Sequence, residues 1–385
     1  MRKLPVLLLL FWIVFSQNGF QTVPFLSSNS KAKAVNTVAA QETAAPDGQA
    51  VRQKIRRFLI ANGINGNVAI VKDDAILFNE GEGFANFTEQ SKNQPLTTHP
   101  IGSITKAIVA VCILQLQEKG KLSIYDPVEN YFPHFPNGGN IKLVHLLNHT
   151  SGIQPPHWHT NNHSPEAFVR LVENKPVKFS PGSRWDYNDA NYVILGLIVE
   201  KISGQPLHDY IQKNIFDPAK MVDSGFMTER DDSSHLSVGY LKRMNRLLAM
   251  RTLNPKSLFG FADIYATALD VCKFDQALAS GKLLTKESLA VMLKPGSHSG
   301  YGLGLYNLGY AFYSRGVLGG WESLHVYYKD HTSITVLLNV RNKNLDIHQI
   351  AKDLFQMTVA ETPSPLSQSG DLPFHRNSLG MEVKV

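Results

Sequence analysis

Cysteine is nearly absent, with two in 385 residues. Cys112 and Cys272 each sit in an apolar helical pattern, and both read as small buried hydrophobes rather than as halves of a disulfide. No cysteine follows the first apolar run, which speaks against a lipidated N-terminus. The only long hydrophobic run is LPVLLLLFWIVF after Met1-Arg2-Lys3, about a dozen residues, short for a membrane span. Charge of one sign is also missing as a cluster. The formal net charge is +6, but no basic stripe interleaved with aromatics occurs, so nucleic acid is not an expected partner. Internal repeats are absent as well.

The composition that remains is globular, 43% apolar and 18% charged. The N-terminal run has the n-region and h-region of a secretory signal. Residues 1–20 are therefore expected to be a signal peptide or an uncleaved membrane anchor, and the chain to be exported, either periplasmic or secreted. Residues 21–48 read as a polar linker and 361–385 as a Pro-punctuated flexible tail. Helical spacing is expected over 51–63, 103–120, 191–202, 206–215, 262–280 and 344–360. Hairpins are expected at 67–87, around Lys72-Asp73-Asp74, and at 323–340, around Lys329-Asp330-His331-Thr332. Strands at both ends with helices between them predict one discontinuous α+β domain over 49–360.

Within that domain GSITKAIVAV (102–111) raises a chemical question. Ser103 and Lys106 are one helical turn apart on a helix too apolar to face water. A buried lysine loses its charge more readily and can take a serine's proton, which makes the hydroxyl a nucleophile. Alone the spacing is weak, because an N-cap serine with a snorkelling lysine has the same pattern.

Three further segments follow in order: LLNHTSGI (146–153), PGSRWDYNDANYVILGLIVEKISGQP (181–206) and the late hairpin. With the Ser103 segment they resemble the serine β-lactamase and penicillin-recognising hydrolase family. Class C β-lactamases, D-alanyl-peptidases and family VIII carboxylesterases share the pattern, over about residues 51–360. The resemblance implies a β-lactamase/transpeptidase-like fold: an antiparallel sheet flanked by helices, a helical subdomain at about 103–250, and the active site in the cleft between. It implies Ser103 as acylating serine, Lys106 as general base and Tyr187 as the second-motif tyrosine that relays the proton.

Two positions depart from the family. The second motif ends in Asp189 rather than Asn, so an acceptor-only carboxylate would face Lys106. Their attraction at about 4 Å is roughly 4 kcal/mol, near three pKa units, as large as the lowering that catalysis needs. Asp189 is then protonated or held away, the base work shifts to Tyr187 or Asp189, or the site is impaired. The third motif is placed at Val317-Leu318-Gly319, which lacks the usual cation and hydroxyl. Leu318, Gly319 and Trp321 are expected to line the substrate pocket with Asp189, and the backbone N–H groups of Gly320 and Ser103 to form the oxyanion hole. An apolar third motif argues against gripping a carboxylate, hence for an ester or amide acyl substrate, small or peptidic, and a poor classical β-lactamase.

No cofactor or metal is called for. His157, His159 and His163 lie in a polar loop with no acidic or thiol ligand beside them. His149 is expected to be structural. The rival reading is a catalytically impaired relative that binds cell-wall peptide or a protein partner through the same cleft.

Overall fold

The computed structural model describes residues 46–359, apart from 156–163, 228–234, 245 and 251–253. The expected signal segment, tail and histidine loop and residues 21–45 of the expected linker therefore lie outside the described residues, while residues 46–48 of that linker belong to the first helix.

In chain order the elements that matter are α1 (Pro46–Ala61), β1 (Gly66–Lys72), β2 (Ala75–Glu82), α2 (Thr105–Glu118), α3 (Ala190–Ser203), β3 (Tyr240–Arg243), β4 (Arg246–Ala249), β5 (Ile264–Ala266), α4 (Ala268–Ala279), β6 (Tyr306–Asn307), β7 (Ala311–Leu318), β8 (Trp321–Tyr328), β9 (Thr332–Leu338), β10 (Val340–Arg341) and α5 (Ile347–Val359). Six strands make the central sheet in the order β6-β7-β8-β9-β1-β2. β9 pairs with β1 antiparallel, Leu338 opposite Gly66, so the two ends of the domain meet in one sheet as the sequence predicts. Both hairpin turns fall where expected. Asp73 and Asp74 take left-handed conformations, φ 48° and 64°, which Asp tolerates and a tight hairpin needs.

Each face of the sheet has its own core. α1 and α5 cover one face, where Ile347, Ile350, Ala351 and Leu354 pack beside Ile55, Leu59, Val336 and Leu338. Their i, i+3, i+4, i+7 spacing is the apolar stripe read from the sequence. The other face carries a larger cluster that includes Ala69, Val71 and Leu337 of the sheet and much of α2, α3 and α4. Thr105–Leu116 are all buried, so α2 is a core helix apolar on every side. Cys112 and Cys272 are both buried and free.

Two expectations are corrected. The helix expected at 262–280 begins at Ala268, because the Thr267 side chain caps it by accepting from the Asp270 N–H, and Ile264–Ala266 form β5 instead. The segment 103–250 is helical only to residue 219. Short strands follow, and β3 leaves the segment to pair with β10.

A buried polar cluster ties α4 to the sheet. Asp275 Oδ1 is 2.7 Å from His325 Nδ1, its Oδ2 accepts from the Ser333 hydroxyl at 2.7 Å, and His325 Nε2 is 2.7 Å from Ser314 Oγ. All four side chains are buried. Asp275→Ala would leave His325 Nδ1 and the Ser333 hydroxyl without their carboxylate partner, while His325 Nε2 keeps Ser314. It should cost about 3–5 kcal/mol of unfolding free energy, read from the denaturant midpoint.

Candidate active site

The chain enters α2 through a single 3₁₀ turn, Gly102–Ile104. Gly102 has φ 54°, and a Cβ there would stand 3.1 Å from the Val317 nitrogen, so glycine lets the turn lie against β7. Gly316 answers it from β7. A Cβ at Gly316 would be 2.0 Å from the Ile101 carbonyl oxygen. These two glycines set the serine turn on the edge of the sheet.

Ser103 Oγ accepts a hydrogen bond from Lys106 Nζ at 3.0 Å and another from the Tyr187 hydroxyl at 2.9 Å. The three groups that the spacing and the resemblance singled out thus converge on one oxygen. Lys106 is fully buried, and its Nζ also donates to the Phe261 carbonyl at 3.2 Å. It lies about 5 Å from the ring centres of Tyr187 and Phe261, at 5.1 and 5.0 Å.

Asp189 is neither distant nor turned away. Its Oδ1 is 2.7 Å from Lys106 Nζ, on a side chain one-third exposed. Burial is nevertheless the larger influence and holds the Lys106 ammonium below its ordinary range, with Asp189 first and then Asp263 opposing it. The balance differs from the simple cancellation because a lysine with no exposed surface loses its whole hydration shell. Burial, with Asp189 adding to it, pushes the Tyr187 phenol well above its usual value. A phenol held protonated in this way can donate to Ser103 Oγ, as its hydroxyl does here.

His149 supports Tyr187 from below, its ring 4.3 Å away. Its Nδ1 accepts from the Asn188 N–H at 3.2 Å and from Asn191 Nδ2 at 3.0 Å. Burial, followed by the nearby Lys106, keeps it neutral, well below the usual imidazole range. This is the structural, loop-bonding place expected for it.

The third-motif positions are corrected by strand register. The Lys329 N–H donates to the Tyr310 carbonyl, and the antiparallel ladder then bonds alternate residues to β8 through Ser314 and Gly316. The N–H groups of Arg315 and Val317 point to the opposite edge, which β6 covers only at Phe312 and Tyr313. The Val317 nitrogen lies beside Gly102, so Val317 is a strand residue next to the serine turn. Gly320 sits past the turn, where a Cβ would stand 2.2 Å from the Tyr240 nitrogen. Gly319 occupies that turn with φ 54°. Leu318 is buried in the core, and Trp321 is buried with its indole N–H donating to Ser237 Oγ at 3.0 Å.

The strand beside Ser103 is thus Ser314-Arg315-Gly316-Val317. Its cation is committed elsewhere, because the Arg315 guanidinium pairs with Glu322 at 2.5 Å. Its hydroxyl, on Ser314, bonds His325. Among the described residues no cluster of His, Cys, Asp and Glu could hold a metal ion.

The decisive comparison is with families. A family model described as Beta-lactamase matches residues 51–352. The chain belongs to the β-lactamase family. It is 37% identical over 305 residues to the penicillin-binding protein PbpX of Bacillus subtilis (strain 168), covering 79% of this chain and 78% of the relative. It is 27% identical over 313 residues to a teichoic acid D-alanine hydrolase of Staphylococcus aureus, again with 79% and 78% covered. The solved FmtA structure from Staphylococcus aureus superposes with a TM-score of 0.72 at 25% identity, over 79% of this chain and 88% of that one. A D-amino acid amidase of Ochrobactrum anthropi SV3, 20% identical, shares the fold with a TM-score of 0.73 over 82% of this chain and 99% of that one. The family match confirms the β-lactamase/transpeptidase-like α+β fold.

Sequence reasoning missed the Phe261 carbonyl, Asp263 and the Val317 N–H. A backbone group leaves no residue-type signal, and Asp263 comes near Lys106 only through the tertiary fold.

Proposed function

We propose that this β-lactamase-family protein is an exported serine hydrolase that opens an ester or amide through an acyl-enzyme on Ser103. The observation that carries the reading is the double hydrogen bond on Ser103 Oγ from Lys106 and Tyr187. Neutral Lys106 takes the Ser103 proton as Oγ adds to the acyl carbonyl. The N–H groups of Ser103 and Val317 hold the resulting oxyanion. Tyr187 passes a proton to the departing alcohol or amine, and water then reverses the sequence to release the acid.

The committed Arg315 supports a substrate without a free carboxylate at that point. A D-alanyl ester fits this requirement, and the staphylococcal relative is named a teichoic acid D-alanine hydrolase. The carboxyl of such an ester is the acyl side of the bond to be broken, so no cation is needed to hold it. The same argument predicts slow turnover of penicillins and cephalosporins, which carry such a carboxylate. The signal-like apolar run of residues 4–15 supports export and is the segment through which membrane attachment would occur.

The test is mass spectrometry after treatment with a fluorophosphonate. We expect one adduct, on the peptide containing Ser103, absent in Ser103→Ala, together with loss of p-nitrophenyl ester hydrolysis in that variant. Hydrolysis that survives Ser103→Ala would remove the serine from its role. Absence of any adduct would favour the non-catalytic binder, for which the short Lys106–Asp189 contact is the supporting observation.

A further inference from the structure

One surface outside the cleft has an unusual composition. Between Asp232 and Asp263 the sequence contains no acidic residue but five basic ones, Lys242, Arg243, Arg246, Arg251 and Lys256. β3 and β4 lie in this stretch and form an antiparallel hairpin, with Arg243 opposite Arg246 and Lys242 opposite Leu247. All four residues of β4 are exposed. At the turn Met244 is 93% exposed, and Leu247 and Leu248 follow at 39% and 46%. Lys242 and Arg243 are exposed too. None of Lys242, Arg243 and Arg246 pairs with an acidic group among the described residues.

β4 is also the outer strand of its sheet, in the order β10-β3-β4, and among the described residues no strand pairs with its outer edge. Three exposed large apolar side chains beside three cations that pair with no described acidic group suit a partner that offers both an apolar layer and anionic groups. A soluble polyanion would neutralise the cations but leave the apolar tip wet. A bilayer with anionic headgroups satisfies both, since apolar side chains enter the headgroup layer while basic ones meet the phosphates.

We propose that the β3–β4 hairpin is a docking element for an anionic lipid bilayer, with Met244, Leu247 and Leu248 inserting and Lys242, Arg243 and Arg246 contacting lipid phosphates. The root of the hairpin explains what docking achieves. The Tyr240 backbone packs on Gly320, and Met250 approaches a Cβ position at Gly319 to 3.6 Å, so the hairpin is braced on the turn that ends β7. Docking therefore brings the strand beside Ser103 close to the bilayer. The proposal stands independently of what Ser103 does.

The test uses the full chain carrying Met244→Cys, labelled with a polarity-sensitive fluorophore. The native thiols are buried and should not compete for the label. Because the probe reads the hairpin itself, attachment through residues 4–15 does not confound it. Phosphatidylglycerol-containing vesicles should blue-shift the emission, and pure phosphatidylcholine vesicles should not. The same label at Val222→Cys, 78% exposed in the native chain, should stay unshifted. Combining Lys242→Glu, Arg243→Glu and Arg246→Glu should raise the lipid concentration needed for half the shift about a hundredfold or more. An unshifted probe at position 244 on vesicle-bound protein would overturn the proposal, and so would equal shifts at 244 and 222. An equal shift with soluble polyphosphate and no lipid would also overturn it, in favour of a polyanionic partner.

Discussion

Lys106→Met is expected to lower kcat/KM about 10³–10⁴-fold on a small ester while leaving the protein at least as stable as the native chain. Removing a positioned base costs about 10²–10⁴ in rate, and here the same change also removes one of the two hydrogen bonds that hold Ser103 Oγ. Stability should move the other way. Lys106 is fully buried, and burial lowers the pKa of its ammonium. For such a group the unfolded chain binds the proton more tightly than the folded one. In the window between the lowered value and the ordinary lysine range, stability therefore rises with pH, and the native lysine is a liability below that range. Methionine fills similar volume without a charge. Asp189, one-third exposed, can be hydrated once its partner is gone. Ester kinetics and a urea titration check the two halves. A large loss of stability with intact kinetics would identify Lys106 as a structural anchor instead.

Asp189→Asn should move the acid limb of the kcat/KM profile to lower pH. In the proposed mechanism Lys106 acts when neutral, so the acid limb reports its deprotonation. Asp189 raises that pKa by attraction at 2.7 Å, and Asn cannot. The carboxylate is one-third exposed, so solvent screens part of its attraction. At a pH below the native limb the variant should thus turn over faster than the native protein. The measurement is a pH–rate profile on an uncharged ester. An unmoved acid limb would mean that Asp189 does not set the charge state of Lys106, and a shift to higher pH would reverse the assigned sign.

The amino-acid order already carried much of the site. Ser103 and Lys106 are three residues apart in an apolar run, and helix geometry alone puts them on one face. Tyr187 became a candidate through the segment around it, and the two hairpins were legible from alternating apolar residues with Asp-rich turns. Gly316 and the Val317 nitrogen, rather than the whole Val317-Leu318-Gly319 triplet, lie against the serine turn for a reason that lies in the sheet. Side chains and N–H groups alternate along a strand, so displacing a motif by a few residues changes what reaches the cleft. That register is set by the pairing of Gly316 with Ser323 and by the contact of Gly316 with Ile101, and neither is a local property of the stretch.

Local spacing along the chain therefore determined that Ser103 and Lys106 share one face, and the family's order of segments, because a helical turn is fixed by backbone geometry within four residues. The fold alone decided which strand residues lie beside the serine turn, how close Asp189 comes to the lysine, and that burial outweighs that attraction. Those outcomes depend on strand register and on water excluded by elements far apart in the chain, such as Lys106 against the Phe261 carbonyl.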